Sequence, residues 1–470
     1  MADAALHFAT LTDLAELIRR KIVSPVAVTE ALLDRIAVVD RALHSYVTVL
    51  PERAVQQARA AEDEIARGTY RGPLHGVPIA VKDLCCTRGI RTTCGTPVLR
   101  DYVPDHDATV VARLQAGGAV LLGKLGMTEC AMFGYPPPFA QPVNPWTLVH
   151  YAGGSSSGSA VATAGGLCFA SLGTDTGGSI RLPSALCGTV GIKPTYGRVS
   201  RFGILPLAES LDHVGPMTRS VADAAVVLGV IAGYDPADPT SRRAAVPDYV
   251  AELRGGLRGV RIGVDAAACT DMVHPETTAA VLAAVDRLRE LGASVCHVQL
   301  PALDDALAAW WTIALAEMVV AHAAHFPARA AEYGVAVRAP LEEGTHIRGV
   351  DYARAHATRL ALCGRMQALF EDIDVLACPS WQAPALPLAL IPVDQPLGRD
   401  LALPSVRLTA PYDLTGQPTI SVPCGFSAEG LPLSLQLVGR PFEEGLLCRA
   451  AYAYEQATEW HRRKPDLSAY

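Results

Sequence analysis

Two glycine- and serine-rich segments contain the residues of this sequence that are best suited to catalysis. Residues 153–159 read GGSSSGS, and residues 173–181 read GTDTGGSIR. Closely spaced glycines let a backbone turn its N–H groups toward a negative charge. Such donors, beside a serine hydroxyl and a base, are what hydrolysis of an amide bond requires. One such segment alone is more typical of a solvated turn, but two so close together in an apolar chain favour an active site.

Ser179 is the nucleophile that this pattern favours. It follows residues 176–178 (TGG), so that a hydroxyl and a row of N–H donors occur in one segment. A base is also needed, and neither segment contains a histidine. Lys82, at the end of the apolar run 76–81 (GVPIAV), is the alternative, because Ser–Lys pairs are known variants of the nucleophile–base arrangement.

Lys82 can act as a base only in its neutral form. The ordinary pKa of lysine is about 10.4, so neutrality at pH 7 costs about 4–5 kcal/mol. Desolvation can lower a lysine pKa by up to roughly 3–5 units, because burial disfavours the charged form. The apolar run before Lys82 is consistent with burial, although a lysine at the end of a strand more often extends its amine to water.

These segments resemble the amidase signature family, and the resemblance covers nearly the whole chain. The matching segments are residues 76–83, 153–160, 172–181, 187–188, 191–200 and 415–418. The resemblance implies an α/β protein with the amidase signature fold, a large mixed β-sheet sandwiched between helical layers. It also implies a single domain over residues 1–470, with a catalytic core at about residues 76–220.

The resemblance assigns a role to each polar residue of the core. Lys82 is the base, Ser155 is a bridging serine held by a cis peptide bond, and Ser179 forms the acyl-enzyme. The two serines are 24 residues apart, as they are in the family. The implied oxyanion hole consists of the backbone N–H groups of Thr176, Gly177, Gly178 and Ser179. The implied supporting residues are Ser156, Asp175 and Arg181.

The implied reaction is the hydrolysis of a linear carboxylic amide. Ser179 attacks the carbonyl while Ser155 and Lys82 take its proton and return it to the leaving amine or ammonia, and water then releases the acid. No metal or other cofactor is required. The same acyl-transfer chemistry could cleave carbamates or aryl esters, so the sequence leaves this alternative open.

The substrate pocket is expected beside the segment that follows Glu129, which borders the acyl site in the family. An apolar or aromatic acyl group would suit the side chains available there, although each is more often a core residue. Gly126 and Ala152 stand where many members have Asn and Pro, and both are expected to reshape the pocket. The candidate pocket residues are Met132, Phe133, Tyr135, Phe139, Trp310, Trp311 and Trp381.

Three other functions remain to be weighed. The first is the ammonia-supplying subunit of a tRNA-dependent amidotransferase complex, although the segment 374–381 does not resemble that protein well. The second is a metal hydrolase that uses Glu317, His322 and His325, for which no complete ligand set is evident. The third is a binding protein without catalysis, which would not need a neutral lysine.

Composition narrows the class of protein. The chain has 470 residues, of which 50% are hydrophobic, so it can bury a large core. Its net charge is −7 with no run of five like charges, so we expect neither nucleic acid nor a membrane as partner, but a small-molecule amide. The family resemblance implies a possible homodimer. Without a signal-like N-terminus or a long apolar run, a cytoplasmic location is expected, and most of the twelve scattered cysteines should be buried thiols.

Alternating helices and strands are expected to position these residues. Thr12 and Ser24 are predicted to cap two N-terminal helices, the second with Pro25 in its first turn. The predicted strands are residues 76–81, 119–122, 260–264, 293–300, 419–422 and 433–437, and the other predicted helices are residues 110–115, 276–291 and 445–460.

Overall fold

A single large sheet organises the protein. The structure is a computed structural model that describes residues 6–391, 395 and 398–469. The strands of these residues are β1 (Tyr46–Val49), β2 (Pro78–Lys82), β3 (Val120–Leu125), β4 (Ala170–Asp175), β5 (Val190–Lys193), β6 (His213–Thr218), β7 (Arg261–Val264), β8 (Ser294–His297), β9 (Val375–Pro379), β10 (Thr419–Phe426) and β11 (Pro432–Gly439). Their order across the sheet is β1-β3-β2-β4-β6-β5-β10-β11-β9-β7-β8.

Helices cover the sheet. They are α1 (Leu11–Arg19), α2 (Pro25–Leu43), α3 (Pro51–Ala66), α4 (Thr109–Ala116), α5 (Ser157–Ala164), α6 (Arg181–Cys187), α7 (Val221–Ile231), α8 (Tyr249–Glu252), α9 (Ala266–Thr270), α10 (Pro275–Glu290), α11 (Asp304–Ala321), α12 (Val335–Gly344), α13 (Gly349–Asp372), α14 (Arg399–Val406), α15 (Ala410–Leu414) and α16 (Glu444–Gln456). The mixed sheet between helical layers is the α/β architecture that the sequence predicts.

Parallel and antiparallel pairing are combined in the sheet. Strands β2 and β4 are parallel neighbours, as are β2 and β3, whereas β4, β6, β5, β10, β11 and β9 pair antiparallel in succession. The register places Val81 of β2 beside Leu172 of β4. Because both strands run in the same direction, their carboxyl ends bring Lys82 next to Thr174.

The local predictions hold for most elements. Every predicted strand and helix in the described residues is present within a few residues of its expected bounds, and Ser24 caps α2 by accepting a hydrogen bond from the Ala27 N–H. The prediction for Thr12 is wrong: α1 begins at Leu11, and Thr10 caps it by accepting from the Asp13 N–H. The C-terminal helix α16 ends at Gln456 rather than residue 460, and Trp460 begins a separate 3-10 turn.

No helix in the described part of the chain is long and apolar enough to cross a membrane.

Candidate active site

The amine of Lys82 is completely buried at the carboxyl end of β2. Its Nζ lies 2.7 Å from the Ser155 Oγ, 2.9 Å from the Ser156 Oγ and 2.8 Å from the Thr174 Oγ1. Burial lowers the pKa of Lys82 from its ordinary value to about 7, since no carboxylate pairs directly with it among the described residues. A large part of Lys82 is therefore neutral at physiological pH.

Ser155 and Ser156 lie directly before α5, which begins at Ser157. The peptide bond between Gly154 and Ser155 is cis, as the family resemblance implies. The Ser156 hydroxyl donates to the Thr174 carbonyl at 3.1 Å and accepts from the Thr174 N–H at 3.2 Å. Ser156 thus joins α5 to β4 directly beside Lys82.

Ser179 follows β4 and opens into a cavity that Ser155 also lines. The Ser156 N–H donates to the Ser179 carbonyl at 3.2 Å, so the two serine-bearing segments are held together. Ser179 is partly exposed, whereas Ser155 is buried. Within the described residues no hydrogen bond joins the two hydroxyls of Ser155 and Ser179.

Asp175 organises the loop that carries Ser179. Its carboxylate accepts from the N–H groups of Gly178 at 2.6 Å and Ile180 at 3.0 Å, and it pairs with the Arg181 guanidinium at 2.8 Å. Burial alone would raise the pKa of Asp175, but the Arg181 charge and hydrogen bonds outweigh burial and hold this pKa well below its ordinary value. Asp175 is therefore an ionised, buried anchor for the loop.

The bond to Asp175 changes the expected set of oxyanion donors. The Gly178 N–H points to a carboxylate and is not free for a substrate, contrary to the expectation from the family pattern. In the described part of the chain, the N–H groups of Thr176, Gly177 and Ser179 have no acceptor. These three groups all belong to residues that line the cavity.

The cavity above Ser179 has a volume of about 390 Å³ and an apolar wall. Of the candidate pocket residues, five lie on this wall: Met132, Phe133, Trp310, Trp311 and Trp381. None of the described residues that line it is Asp, Glu, Lys, Arg or His. The space is therefore suited to an uncharged group.

Tyr135 and Phe139 do not line the cavity, so these two predictions are wrong. A hydrogen bond from the Glu129 N–H to the Gly134 carbonyl closes a loop that turns the chain away after Phe133. Tyr135 is buried, and its hydroxyl donates a hydrogen bond to the Ser157 Oγ at 2.9 Å. Phe139 lines a different cleft, together with His44.

Gly126 and Ala152 do not reshape the pocket wall. Gly126 is bonded through its backbone to Ser45 and Gly158, and a methyl group at Gly126 would meet Pro142 at 3.2 Å. Ala152 is fully buried, and its carbonyl accepts from the Cys187 thiol. Neither residue lines the cavity.

Sequence reasoning missed several residues of the site. Thr174, which contacts Lys82, lies inside a matched motif. Because successive side chains of a strand point to opposite faces, the sequence could have placed Thr174 on the face opposite Asp175. Thr409, whose hydroxyl donates to the Gly177 carbonyl, carries no comparable signal. The other missed wall residues in the first two thirds of the chain are Ala131, Tyr151, Gly154, Leu182, Leu186 and Leu207.

The residues of the metal alternative are not gathered into one cluster. His322 bonds the Tyr333 hydroxyl, and Glu317 accepts from the Tyr352 hydroxyl and the Ser210 N–H. No group of three potential ligands occurs in residues 6–391 or 398–469. Cys85, which lies near Lys82 in sequence, is a buried thiol, and burial raises its pKa to about 12.

Comparison with known proteins defines the class. The Amidase family matches residues 27–448. AmiD of Mycobacterium tuberculosis (strain ATCC 25618 / H37Rv), a relative named as an amidase, is 48% identical over 99% of this chain and 97% of its own. A glutamyl-tRNA(Gln) amidotransferase subunit of Roseiflexus sp. (strain RS-1) is 44% identical over 98% of this chain and 99% of its own.

A solved structure agrees with these relatives. The native peptide amidase of Stenotrophomonas maltophilia superposes with a TM-score of 0.85 and 34% identity, over 98% of each chain. The chain belongs to the amidase family. It is an enzyme that hydrolyses carboxylic amide bonds.

Proposed function

We propose that this enzyme hydrolyses neutral amides with an apolar or aromatic acyl group, with Ser179 as nucleophile and Lys82 as base through Ser155. The observation that carries the proposal is the buried Lys82 amine, which three hydroxyls surround beside the cavity that contains Ser179. Its pKa of about 7 keeps a neutral base available at neutral pH.

The hydrogen bonds around Lys82 support Ser155 as the proton carrier. A neutral amine has two protons to donate and one lone pair to accept with. The Ser156 proton is already used on the Thr174 carbonyl, so Ser156 can only accept from Lys82. With Thr174 accepting the second proton, the lone pair of Lys82 is left for the Ser155 hydroxyl. When substrate closes the gap, Ser155 passes its own proton to Lys82 and takes the proton of Ser179.

The same loop supplies the electrostatic part of the mechanism. Attack of Ser179 on a carbonyl places negative charge on the carbonyl oxygen, and free N–H groups on cavity residues stabilise it. Gly177 and Ser179 offer such groups, and Thr176 offers a third. Loss of the leaving amine gives the acyl-enzyme, which water hydrolyses by the same proton route.

The cavity favours neutral substrates over free amino acids. Glutamine carries an ammonium and a carboxylate at neutral pH, and burial of these charges without partners costs several kcal/mol. The described wall offers no ionised partner, whereas aromatic and aliphatic surface is abundant. An aryl or branched alkyl amide meets both conditions. Carbamates and aryl esters with such groups are secondary substrates of the same acyl transfer.

A second candidate is an amidotransferase component that hydrolyses glutamine, because a relative with that name is 44% identical over 98% of the chain. This function requires recognition of both charges of glutamine at the cavity. Release of ammonia from glutamine by the purified chain, at a kcat/KM above that for the best aryl amide, would favour it over the proposed function.

The test combines labelling with a substrate panel. The unsubstituted enzyme and its Ser179→Ala, Ser155→Ala and Lys82→Ala variants are exposed to a fluorophosphonate and analysed by intact-protein mass spectrometry. We expect one adduct, absent in Ser179→Ala and formed slowly in Lys82→Ala, and a loss of amide turnover by about 10⁴-fold or more in Ser179→Ala. Ser405→Ala is the matched control for loss of a serine, because it alters a hydroxyl of the wall that donates to the Ala402 carbonyl at 2.7 Å.

The panel then ranks bond and acyl class. It contains benzamide-type and straight-chain amides, the matched carbamates and aryl esters, and glutamine. The proposal fails if labelling persists in Ser179→Ala, or if glutamine is preferred to every neutral amide.

Assembly and location stay predictions. Homodimers are expected from the family resemblance, and sedimentation velocity at micromolar concentration tests this. A cytoplasmic location is expected from the sequence, and fractionation of the source cells tests it.

A further inference from the structure

Each carbonyl of the loop before and at Ser179 is held by a donor. The Thr176 carbonyl accepts from the Trp310 indole N–H at 2.8 Å, and the Gly177 carbonyl accepts from the Thr409 hydroxyl. The Gly178 carbonyl accepts from the Leu182 N–H at 2.7 Å, and the Ser179 carbonyl from the Ser156 N–H at 3.2 Å. These four hydrogen bonds, from donors outside residues 176–179, therefore fix four successive peptide planes.

A fixed carbonyl also fixes the N–H of the following residue. In a trans peptide, the C=O and the next N–H point in opposite directions in one plane. The donor on the Gly177 carbonyl thus directs the Gly178 N–H, which points to Asp175. The donor on the Thr176 carbonyl in the same way directs the Gly177 N–H, which has no acceptor in the described residues and belongs to the cavity wall.

Trp310 approaches this loop too closely for any side chain at position 177. A Cβ on Gly177 would lie 2.4 Å from the Trp310 ring, so the ring lies directly on the peptide that it bonds. Trp310 is 6% exposed, and it is held in α11 beside Trp311 with their ring centroids 6.1 Å apart. The indole is therefore a rigid donor.

We propose that Trp310 is a positioning residue for the oxyanion hole, in which its indole N–H aims the Gly177 N–H at the substrate oxygen. The hole consists of the N–H groups of Gly177 and Ser179, together with Thr176, while Gly178 is reserved for Asp175. This inference rests on the proposed role of Ser179. It assigns to Trp310 more than a place in the apolar wall.

The variant Trp310→Phe tests the hydrogen bond and keeps an aromatic ring. Trp311→Phe is the matched control, because Trp311 also lines the cavity and also loses an indole hydrogen bond, here to Glu343 at 2.8 Å. Three quantities are measured: kcat and KM for an aryl amide, the Kd of an aryl boronic acid that forms a tetrahedral adduct, and the Kd of the product carboxylic acid.

We expect Trp310→Phe to lower kcat by about 10- to 100-fold, because one oxyanion donor is misdirected. The Kd of the boronic acid should rise by a similar factor. The Kd of the product acid should change by less than about threefold, since the acid does not form the tetrahedral oxyanion. In Trp311→Phe, any loss of affinity should be equal for the boronic acid and the product acid. The inflection of the kcat/KM profile with pH should be the same in both variants.

Two results would overturn the proposal. One is an effect of Trp310→Phe that raises KM and the Kd of both ligands by the same factor, as expected for a residue that only forms part of the wall. The other is a ratio of boronic acid to product acid affinity that is equal in the two variants. If the unsubstituted enzyme forms no Ser179 adduct, the proposed function itself fails. If the adduct forms, either of the two results above contradicts only the proposed role of Trp310. Equal unfolding midpoints of the variants control for folding.

Discussion

At the scale of the residue, the protonation of Lys82 dominates the chemistry. The charged groups that raise its pKa against the effect of burial include the carboxylates of Asp175 and Asp212. Because none of them bonds the amine, burial prevails and the pKa falls to about 7. The hydroxyls of Ser155, Ser156 and Thr174 replace water around the amine without adding charge.

This protonation predicts the pH dependence of kcat/KM. The active form has neutral Lys82, so kcat/KM should rise about tenfold per pH unit below pH 7 and level off above it. Steady-state kinetics with an aryl amide between pH 5 and 9 measures the inflection.

Asp212 provides an internal control for that inflection. Its carboxylate accepts from the Thr176 hydroxyl at 2.6 Å, and its negative charge raises the pKa of Lys82. In Asp212→Asn the inflection should therefore move to lower pH. A profile that is flat from pH 6 to 9, or a shift to higher pH in the variant, would contradict the assignment of the base.

At the scale of the element, the junction between β4 and α6 depends on buried charge. Arg181, the first residue of α6, contacts Asp175 at 2.8 Å, Asp413 at 2.6 Å and the Gln436 side chain at 3.0 Å. All of these side chains are buried. Arg181 thus ties the end of β4 to α15 and β11, and it holds in place the loop that carries Ser179.

Removal of Arg181 should be strongly destabilising. Arg181→Met leaves Asp175 as a buried carboxylate without its cation and removes the partner of Asp413, which should lower the free energy of unfolding by about 3–5 kcal/mol. Urea unfolding followed by circular dichroism measures the loss. The matched control is Arg354→Met on α13, whose exposed pair with Asp351 is worth about 0–1 kcal/mol. Equal losses in the two variants would show that the buried cluster has no special role.

At the scale of the whole molecule, one sheet connects the two ends of the sequence. Strands β5 and β10 are neighbours although more than 200 residues separate them, and α16 packs on β10 and β11. The cavity likewise draws its wall from the loop after β4, from α11 and from the segment around Trp381. This continuity supports the single domain that the sequence predicts.

A single domain predicts a single unfolding transition. Differential scanning calorimetry should give one peak with a calorimetric enthalpy close to the van't Hoff enthalpy, because strands from all parts of the chain share one sheet. The measurement is repeated after Ser179 is labelled, as a control for ligand effects on the midpoint. Two separable transitions would instead indicate two domains.

Local sequence patterns determined much of this protein. Apolar runs correctly predicted β2 and β3, and the Ser24-Pro25 pair correctly predicted the start of α2. These predictions succeed because strand formation, helix caps and tight turns depend on residues that are close together in the chain. Thr12 failed as a cap, because Thr10, two residues earlier, supplies the same hydroxyl.

Only the tertiary structure decided how the site is completed. Whether Gly178 donates to a substrate or to Asp175, and whether Phe133 or Tyr135 faces the cavity, depends on the path of a loop rather than on residue type. Trp310 and Thr409 reach the loop from parts of the chain that lie more than 130 residues away. Contacts at such distances arise from packing of the sheet and its helices, and a single sequence carries no local signal for them.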